Sequence, residues 1–259
     1  MAAYERVQAA RAKGRPTAMQ FIKTVFSGFL EMHGDRRYAD DGAVVAGIAM
    51  LADRPVTVIG LEKGVDTAEK VMRNFGSANP EGYRKALRQM KLAEKFRRPV
   101  ICFVDTAGAA PGLGAEERGQ GLAIAENLME MMALTVPVIA IVIGEGGSGG
   151  ALAVAVANQV WMLENAVYSV ISPEGAASIL WKDAKKTKEA SEALKLTAED
   201  LLGMGVIERI FPEPQDAALL YQEIKDALCD ALNGYAKLEG PAIAALRYNK
   251  FRSIGGRPL

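Results

Sequence analysis

Two apolar runs, residues 99–104 and 136–143, each break into a glycine-rich stretch and then resume with helical periodicity, so one strand–loop–helix unit occurs twice. Between them a helix carrying Leu122, Ala125, Met129 and Met132 as its expected inward face returns the chain to Pro137. A strand, a helix and a second strand in that order make a βαβ crossover, which predicts parallel strands with both glycine loops at one edge of the sheet. Ligands of open α/β sheets bind at such an edge. Earlier in the chain, Ile22, Val25, Phe26, Phe29 and Leu30 follow helical spacing and predict one helix between Pro16 and Gly34. Residues 43–51 and 55–61 read as a hairpin about Ala52-Asp53-Arg54. Asn79-Pro80-Glu81 starts a helix that buries Tyr83, Ala86, Leu87, Met90 and Ala93 and presents Arg84, Lys85, Arg88, Lys91 and Lys95 to solvent. Short strands are expected at 159–163 and 166–171, a capped helix from Ser172-Pro173-Glu174-Gly175 to Trp181, and a polar surface turn at 182–188. One helix over 189–202, an edge strand at 206–211 before Pro212 and Pro214, and helices at 217–232 and 242–251 complete the reading.

Composition narrows the partners. Half of the 259 residues are apolar, enough for one large core, which we place at 17–259 behind a short N-terminal extension, 1–16. Lys plus Arg and Asp plus Glu both number 31, so no net field draws the chain to nucleic acid or an anionic membrane. Residues 1–15 lack a signal-peptide apolar centre and no later segment could span a bilayer, which predicts a cytoplasmic protein. Cys102 and Cys229 are far apart, with no zinc-type spacing, and are expected to be reduced fillers; no metal site is expected. The sole histidine, His33, is read as a cap or surface residue.

The candidate chemistry sits in Gly144-Glu145-Gly146-Gly147-Ser148-Gly149-Gly150. Glycines let a ligand approach the main chain, and N–H groups at a helix start lack internal partners and face the positive end of the helix dipole. Three readings compete. A nucleophile elbow fits GxSxG at Ser148, but it needs a histidine downstream and the only one lies upstream. A nucleotide phosphate loop needs a Lys-Ser or Lys-Thr after the glycines, which is absent. An oxyanion site needs only backbone N–H groups, and nothing in the motif opposes it.

Several long motifs carry a resemblance. Arg73-Asn74-Phe75-Gly76, the run from Asn79 to Leu87, Gly112-Leu113-Gly114-Ala115-Glu116-Glu117-Arg118-Gly119-Gln120, the run from Ile143 to Ala153, Ser172-Pro173-Glu174-Gly175 and Ser178-Ile179-Leu180-Trp181-Lys182 resemble the α subunits of bacterial acetyl-CoA carboxylase carboxyltransferases. The resemblance implies an α/β crotonase-type fold, a spiral of ββα units with flanking helices. It implies an α2β2 enzyme that moves a carboxyl group from carboxybiotin, held on the biotin carboxyl carrier protein after biotin carboxylase has loaded it, to acetyl-CoA. Malonyl-CoA for fatty-acid synthesis results. No covalently bound cofactor is implied, and the family's zinc belongs to the β subunit. By the same resemblance Gly108, Ala109, Gly146, Gly147 and Ser148 supply N–H donors, and Ala110, Gly112, Glu116, Glu117, Arg118 and Gly149 lie toward biotin. Family members carry an aromatic residue where this chain has Ala110, a polar one at Leu61, and often a longer segment before Pro16, which bears on substrate choice and assembly. Related biotin-dependent acyl-CoA carboxyltransferases or decarboxylases, a hydratase or isomerase of the same fold using Glu116, Glu117 or Glu145 as base, and a non-catalytic scaffold are the alternatives. A Gly147→Val variant is expected to fold but to block the donor pocket.

Overall fold

The structure, a computed structural model, describes residues 1–256; residues 257–259, the end of the expected main unit, lie outside the described residues. The chain starts with helix α1 (Ala3–Ala10) and continues into α2 (Ala18–Val25), where the Gln20 side chain accepts the Thr17 N–H at 2.8 Å. Here the single expected helix divides. Phe26 turns to extended backbone, Gly28 takes a left-handed φ of 61°, and residues that continue the helical spacing form strand β1 (Ser27–Glu31) instead. Antiparallel pairing of Leu30 with Ile48 and Glu31 with Gly47 overrides the local period, and Leu30 is exposed.

Strands β2 (Val44–Leu51) and β3 (Arg54–Leu61) form the expected hairpin, followed by helices α3 (Thr67–Met72) and α4 (Pro80–Lys95). Strand β4 (Val100–Thr106), helices α5 (Leu113–Glu117) and α6 (Gln120–Ala133), and strand β5 (Val138–Gly147) make the crossover, with β4 and β5 parallel. Helix α7 (Ser148–Leu152) leads to β6 (Gln159–Leu163) and β7 (Val167–Ser169). Helix α8 (Pro173–Ala176), one π turn at Ala177–Trp181, helices α9 (Thr187–Ala193) and α10 (Ala198–Gly203), edge strand β8 (Arg209–Phe211), and helices α11 (Ala217–Tyr235) and α12 (Gly240–Ser253) follow. The sheet order is β1-β2-β3-β4-β5-β6-β8, antiparallel up to β3 and parallel beyond it, with β7 paired to the end of β5. All seven residues of β4 are buried, which is why the strand reads as an unbroken apolar run. Among the described residues no helix is long and apolar enough to cross a membrane.

Three further expectations change. Helix α6 turns Ala123, Asn127 and Met131 inward and leaves Leu122 and Met129 65% and 67% exposed. Its rotation follows two buried amides: Gln120 donates to the carbonyls of Ala78 and Ala110, and Asn127 to that of Ala153, so polar residues occupy the inward stripe. The basic face of α4 is not wholly solvated. Lys85 is 1% exposed and donates to Asp40 at 2.6 Å and the Asp41 carbonyl at 2.7 Å, while Arg84 pairs with Asp35 at 2.7 Å. Finally, residues 189–202 split into α9 and α10 because Lys195 takes a left-handed φ of 50° and Thr197 restarts the helix, accepting the Asp200 N–H.

Helix α1 packs onto the body through ion pairs. Arg6 reaches Glu164 at 3.2 Å and Glu199 at 2.7 Å, and beyond the helix Arg15 reaches Glu213 at 2.6 Å and the Ile143 carbonyl at 2.8 Å.

Candidate active site

The two glycine loops meet at the carboxyl ends of β4 and β5. Strand β5 exchanges neighbours along its length: residues 139–142 pair with β6, and Glu145, Gly146 and Gly147 pair with Val167, Tyr168 and Ser169 of β7. The bend between these registers carries the second loop over the first. A Cβ on Gly147 would strike the Ala107 carbonyl, and one on Gly150 would lie 2.5 Å from the Ala109 nitrogen and 2.7 Å from the Tyr83 hydroxyl. One on Gly146 would lie 2.7 Å from the Tyr168 ring, and one on Gly144 would strike the Asp105 carboxylate. These four glycines therefore serve contact between protein segments. Gly108, Gly112 and Gly149 are the loop glycines with space beside them: nothing lies within 4 Å of a Cβ at the first two, and Gly149 meets only Ile124 at 3.5 Å.

Each loop carries backbone N–H groups without an internal acceptor. In the first loop Gly108 N–H donates to Thr106 Oγ1 at 3.1 Å and Ala110 N–H to the Ala78 carbonyl at 2.9 Å; among the described residues no acceptor answers Ala109 N–H. In the second, Ser148 and Gly149 open α7 and, as first-turn residues, have no intrahelical acceptor for their N–H groups. Ser148 is exposed and holds a left-handed φ of 58°, a turn that costs a non-glycine residue about 1 kcal/mol and persists where the surroundings impose it. The turn has the shape of a nucleophile elbow, yet the sole histidine is elsewhere. His33 follows β1, the outermost strand and three places from β4 in the sheet order, 63% exposed at its side chain and 2.9 Å from Asp40. What the arrangement offers is two sets of N–H donors on adjacent loops, suited to negative charge on oxygen.

Other expected site residues are placed differently. Ala110 is buried, with its carbonyl taken by Gln120. Glu116 and Glu117 are exposed on α5 and make no ion pair among the described residues. Arg118 turns toward Glu81 at 3.1 Å and lies 4.9 Å from the centre of the Tyr38 ring.

Charged residues that the motifs do not contain lie beneath the loops. Lys63 Nζ is 2.7 Å from both Asp105 Oδ1 and Glu145 Oε2. Asp105 Oδ1 also accepts the Glu145 N–H at 2.9 Å. Arg11 Nε donates to Glu145 Oε1 at 2.7 Å, and its two terminal nitrogens reach Glu174 at 2.8 and 3.2 Å. Burial alone would raise the Glu145 carboxyl, but Lys63 and Arg11 outweigh it and hold the group below the usual glutamate range. Burial would likewise lower the Lys63 ammonium, and the two carboxylates reverse that and raise it. Glu145 and Glu174, which lie within the motifs, are the members of this cluster that the sequence points to.

A pH dependence follows. Because Glu145 binds its proton more weakly when folded, its contribution to stability is complete above its ordinary value of 4.5 and is lost as pH falls through the lower folded value. Thermal melting is expected to fall as the pH drops below about 4.5, and to fall less in Glu145→Gln. Identical acid sensitivity in the two proteins would remove Glu145 from the explanation.

The mixed sheet, the β5 bend and the paired glycine loops define a crotonase-type fold of the carboxyltransferase class. The transcarboxylase 12S hexamer core solved with methylmalonyl-CoA superposes with a TM-score of 0.69 at 22% identity, over 85% of this chain and 42% of that one. The Pseudomonas malonate decarboxylase heterotetramer in complex with coenzyme A gives 0.67 at 19% identity, over 84% and 89%. A family model described as acetyl co-enzyme A carboxylase carboxyltransferase-like matches residues 1–255, and the chain belongs to this family, among its α subunits. The acetyl-CoA carboxylase carboxyl transferase subunit alpha of Ruminiclostridium cellulolyticum is 59% identical over 98% of both chains. That of Clostridium acetobutylicum is 53% identical over 97% of this chain and 94% of the relative. In Natranaerobius thermophilus a protein named as fused beta/alpha subunits is 55% identical over 97% of this chain and 42% of its own length.

Proposed function

We propose that this chain is the α half of a cytoplasmic carboxyltransferase that works with a β subunit, in an α2β2 assembly, to pass a carboxyl group from carboxybiotin on its carrier protein to acetyl-CoA. The product, malonyl-CoA, feeds fatty-acid synthesis, and biotin carboxylase reloads the carrier. The observation that carries this reading is the pairing of the Ala109 loop with the Ser148–Gly149 turn, two donor sets on one sheet edge with no histidine beside them. The reaction needs such a site. As the N–C bond of carboxybiotin breaks, carbon dioxide leaves and the electron pair stays on the ureido group, placing charge on its oxygen. The freed ureido nitrogen takes a methyl proton from acetyl-CoA, the charge passes to the thioester oxygen, and the enolate carbon attacks carbon dioxide. The protein holds oxyanions and aligns reactants; no side-chain base is required. The fused relative supports a β partner.

A hydratase or isomerase would need an acidic base. Glu145 is held as a carboxylate between two cations, and Glu116 and Glu117 are exposed on α5, without the burial that tunes a carboxylate as a base. The test is to co-purify the chain with a β subunit from a close relative and assay carboxybiotin-dependent malonyl-CoA formation beside crotonyl-CoA hydration. Malonyl-CoA formation alone is the expected result; hydration, or neither activity in an assembled complex, would overturn the reading. Ser148→Ala is expected to keep activity within about threefold, since only its backbone acts. A loss near a thousandfold would instead make its hydroxyl catalytic.

A further inference from the structure

Two cations and three carboxylates form one continuous line beneath the loops: Asp105, Lys63, Glu145, Arg11 and Glu174, each within 2.8 Å of the next. The line extends the Thr106–Gly146 pairing of β4 with β5 to Lys63, Arg11 and Glu174, which lie outside that register. Asp105 lies one residue before the end of β4, where the first loop departs, and its carboxylate accepts the main-chain N–H of Glu145 in the second loop. The second loop therefore hangs from the root of the first. Glu145 in turn is tied through Arg11 to Glu174 in the turn that starts α8. Among the described residues Lys63 is the only cation in contact with both loop carboxylates, and it is the group that lets Asp105 and Glu145 stand side by side.

We propose that Lys63 and Asp105 are positioning residues for carboxyl transfer: they set the spacing of the two loops, and thereby of the N–H donors at Ala109 and Ser148. This rests on the reading of those loops as the oxyanion site. Gly147 already presses against the Ala107 carbonyl, so the loops have no slack, and a shift at their roots passes directly to the donors. Misplacing a reacting group by about 1 Å can cost on the order of a hundredfold in rate.

The experiment uses the assembled α and β subunits. Lys63→Met leaves Asp105 without its cation and Glu145 with Arg11 alone at the loop roots, and is expected to lower kcat about a hundredfold, with KM for acetyl-CoA changed by less than about threefold. Adding Glu145→Gln removes one of the opposed charges and is expected to restore at least about tenfold of that loss, and Lys63→Arg to keep kcat within about tenfold. A residue needed only for folding would give no such recovery at constant KM. If Lys63→Met fails to assemble, Asp105→Asn carries the test: it keeps an oxygen for the Glu145 N–H but loses the charge, and kcat is expected to fall at least about tenfold. Unchanged kcat, a loss confined to KM, or no recovery in the double variant would overturn the proposal. Hydrogen exchange over residues 144–150 gives a readout independent of turnover, expected to rise in Lys63→Met and return in the double variant. Unchanged exchange overturns the positioning role even if the wild-type complex makes no malonyl-CoA; that inactivity, with exchange responding as expected, overturns the functional reading alone.

Discussion

Gly147→Val is expected to reduce malonyl-CoA formation by more than about a thousandfold, and to lower the melting temperature as well. Removing one oxyanion donor typically costs about 3 kcal/mol of transition-state stabilisation, and this substitution displaces two donor segments together. The glycine motif alone suggests a different course, in which valine fills the ligand pocket of an intact fold. The structure places the Ala107 carbonyl where the Cβ would go, so one loop must move off the other. Overpacking of this kind costs about 1–3 kcal/mol, or roughly 2–12 °C in a protein of this size. Gly149→Ala is the companion variant: its methyl group would meet only Ile124, at 3.5 Å, and it should melt as the wild type does. Any activity lost there reports on approach of the ligand itself. A Gly147→Val protein with wild-type melting and turnover would refute both the packing and the oxyanion argument.

Arg247→Met is expected to destabilise the fold by about 4 kcal/mol, near 8–16 °C in melting temperature, without touching the donors. Arg247 is 0% exposed and has no carboxylate partner among the described residues; its guanidinium donates to the carbonyls of Met131, Leu134 and Val136 at 2.8, 2.7 and 2.8 Å, and to Asn158. Those carbonyls close the C-terminal end of α6 and the turn into β5, where the negative end of the helix dipole favours a cation. Asn158 takes the Val138 N–H that starts β5 and donates to the Ile243 carbonyl of α12. Methionine would fill the volume and leave several buried acceptors unanswered, each costing about 1–3 kcal/mol before the surroundings relax. Denaturant unfolding measures the effect, and a loss below about 1 kcal/mol would show that α12 is held by apolar contacts instead. From the sequence, residues 242–251 read as a helix without chemistry; an arginine that satisfies main-chain carbonyls more than a hundred positions away leaves no local pattern.

The same contrast runs through the molecule. The β2–β3 hairpin and the parallel β4–α6–β5 unit were legible because strands buried on both faces leave continuous apolar runs bounded by turn residues. The inward face of α6 was not, because Gln120 and Asn127 are buried by virtue of hydrogen bonds that a count of apolar residues scores as exposure. Phe29 and Leu30 fitted a helical face yet pair in a strand, since five residues cannot separate the two periods when tertiary pairing decides. At the candidate site the glycine loops stood out as motifs, while Lys63, Asp105 and Arg11 did not. Lys63 and Arg11 meet Glu145 across 82 and 134 positions of chain, and such pairings exist only in three dimensions.

The arginines of the N-terminal segment also order events in time. Arg6, Arg11 and Arg15 precede their partners Glu145, Glu164, Glu174, Glu199 and Glu213 in the chain by 134 positions or more, so those partners emerge from the ribosome much later. The opening helix must therefore wait, unpaired, until most of the chain exists. Loop closure over so long a separation is a late step in folding, so the second glycine loop acquires its bracing by Arg11 only after Glu174 has been made.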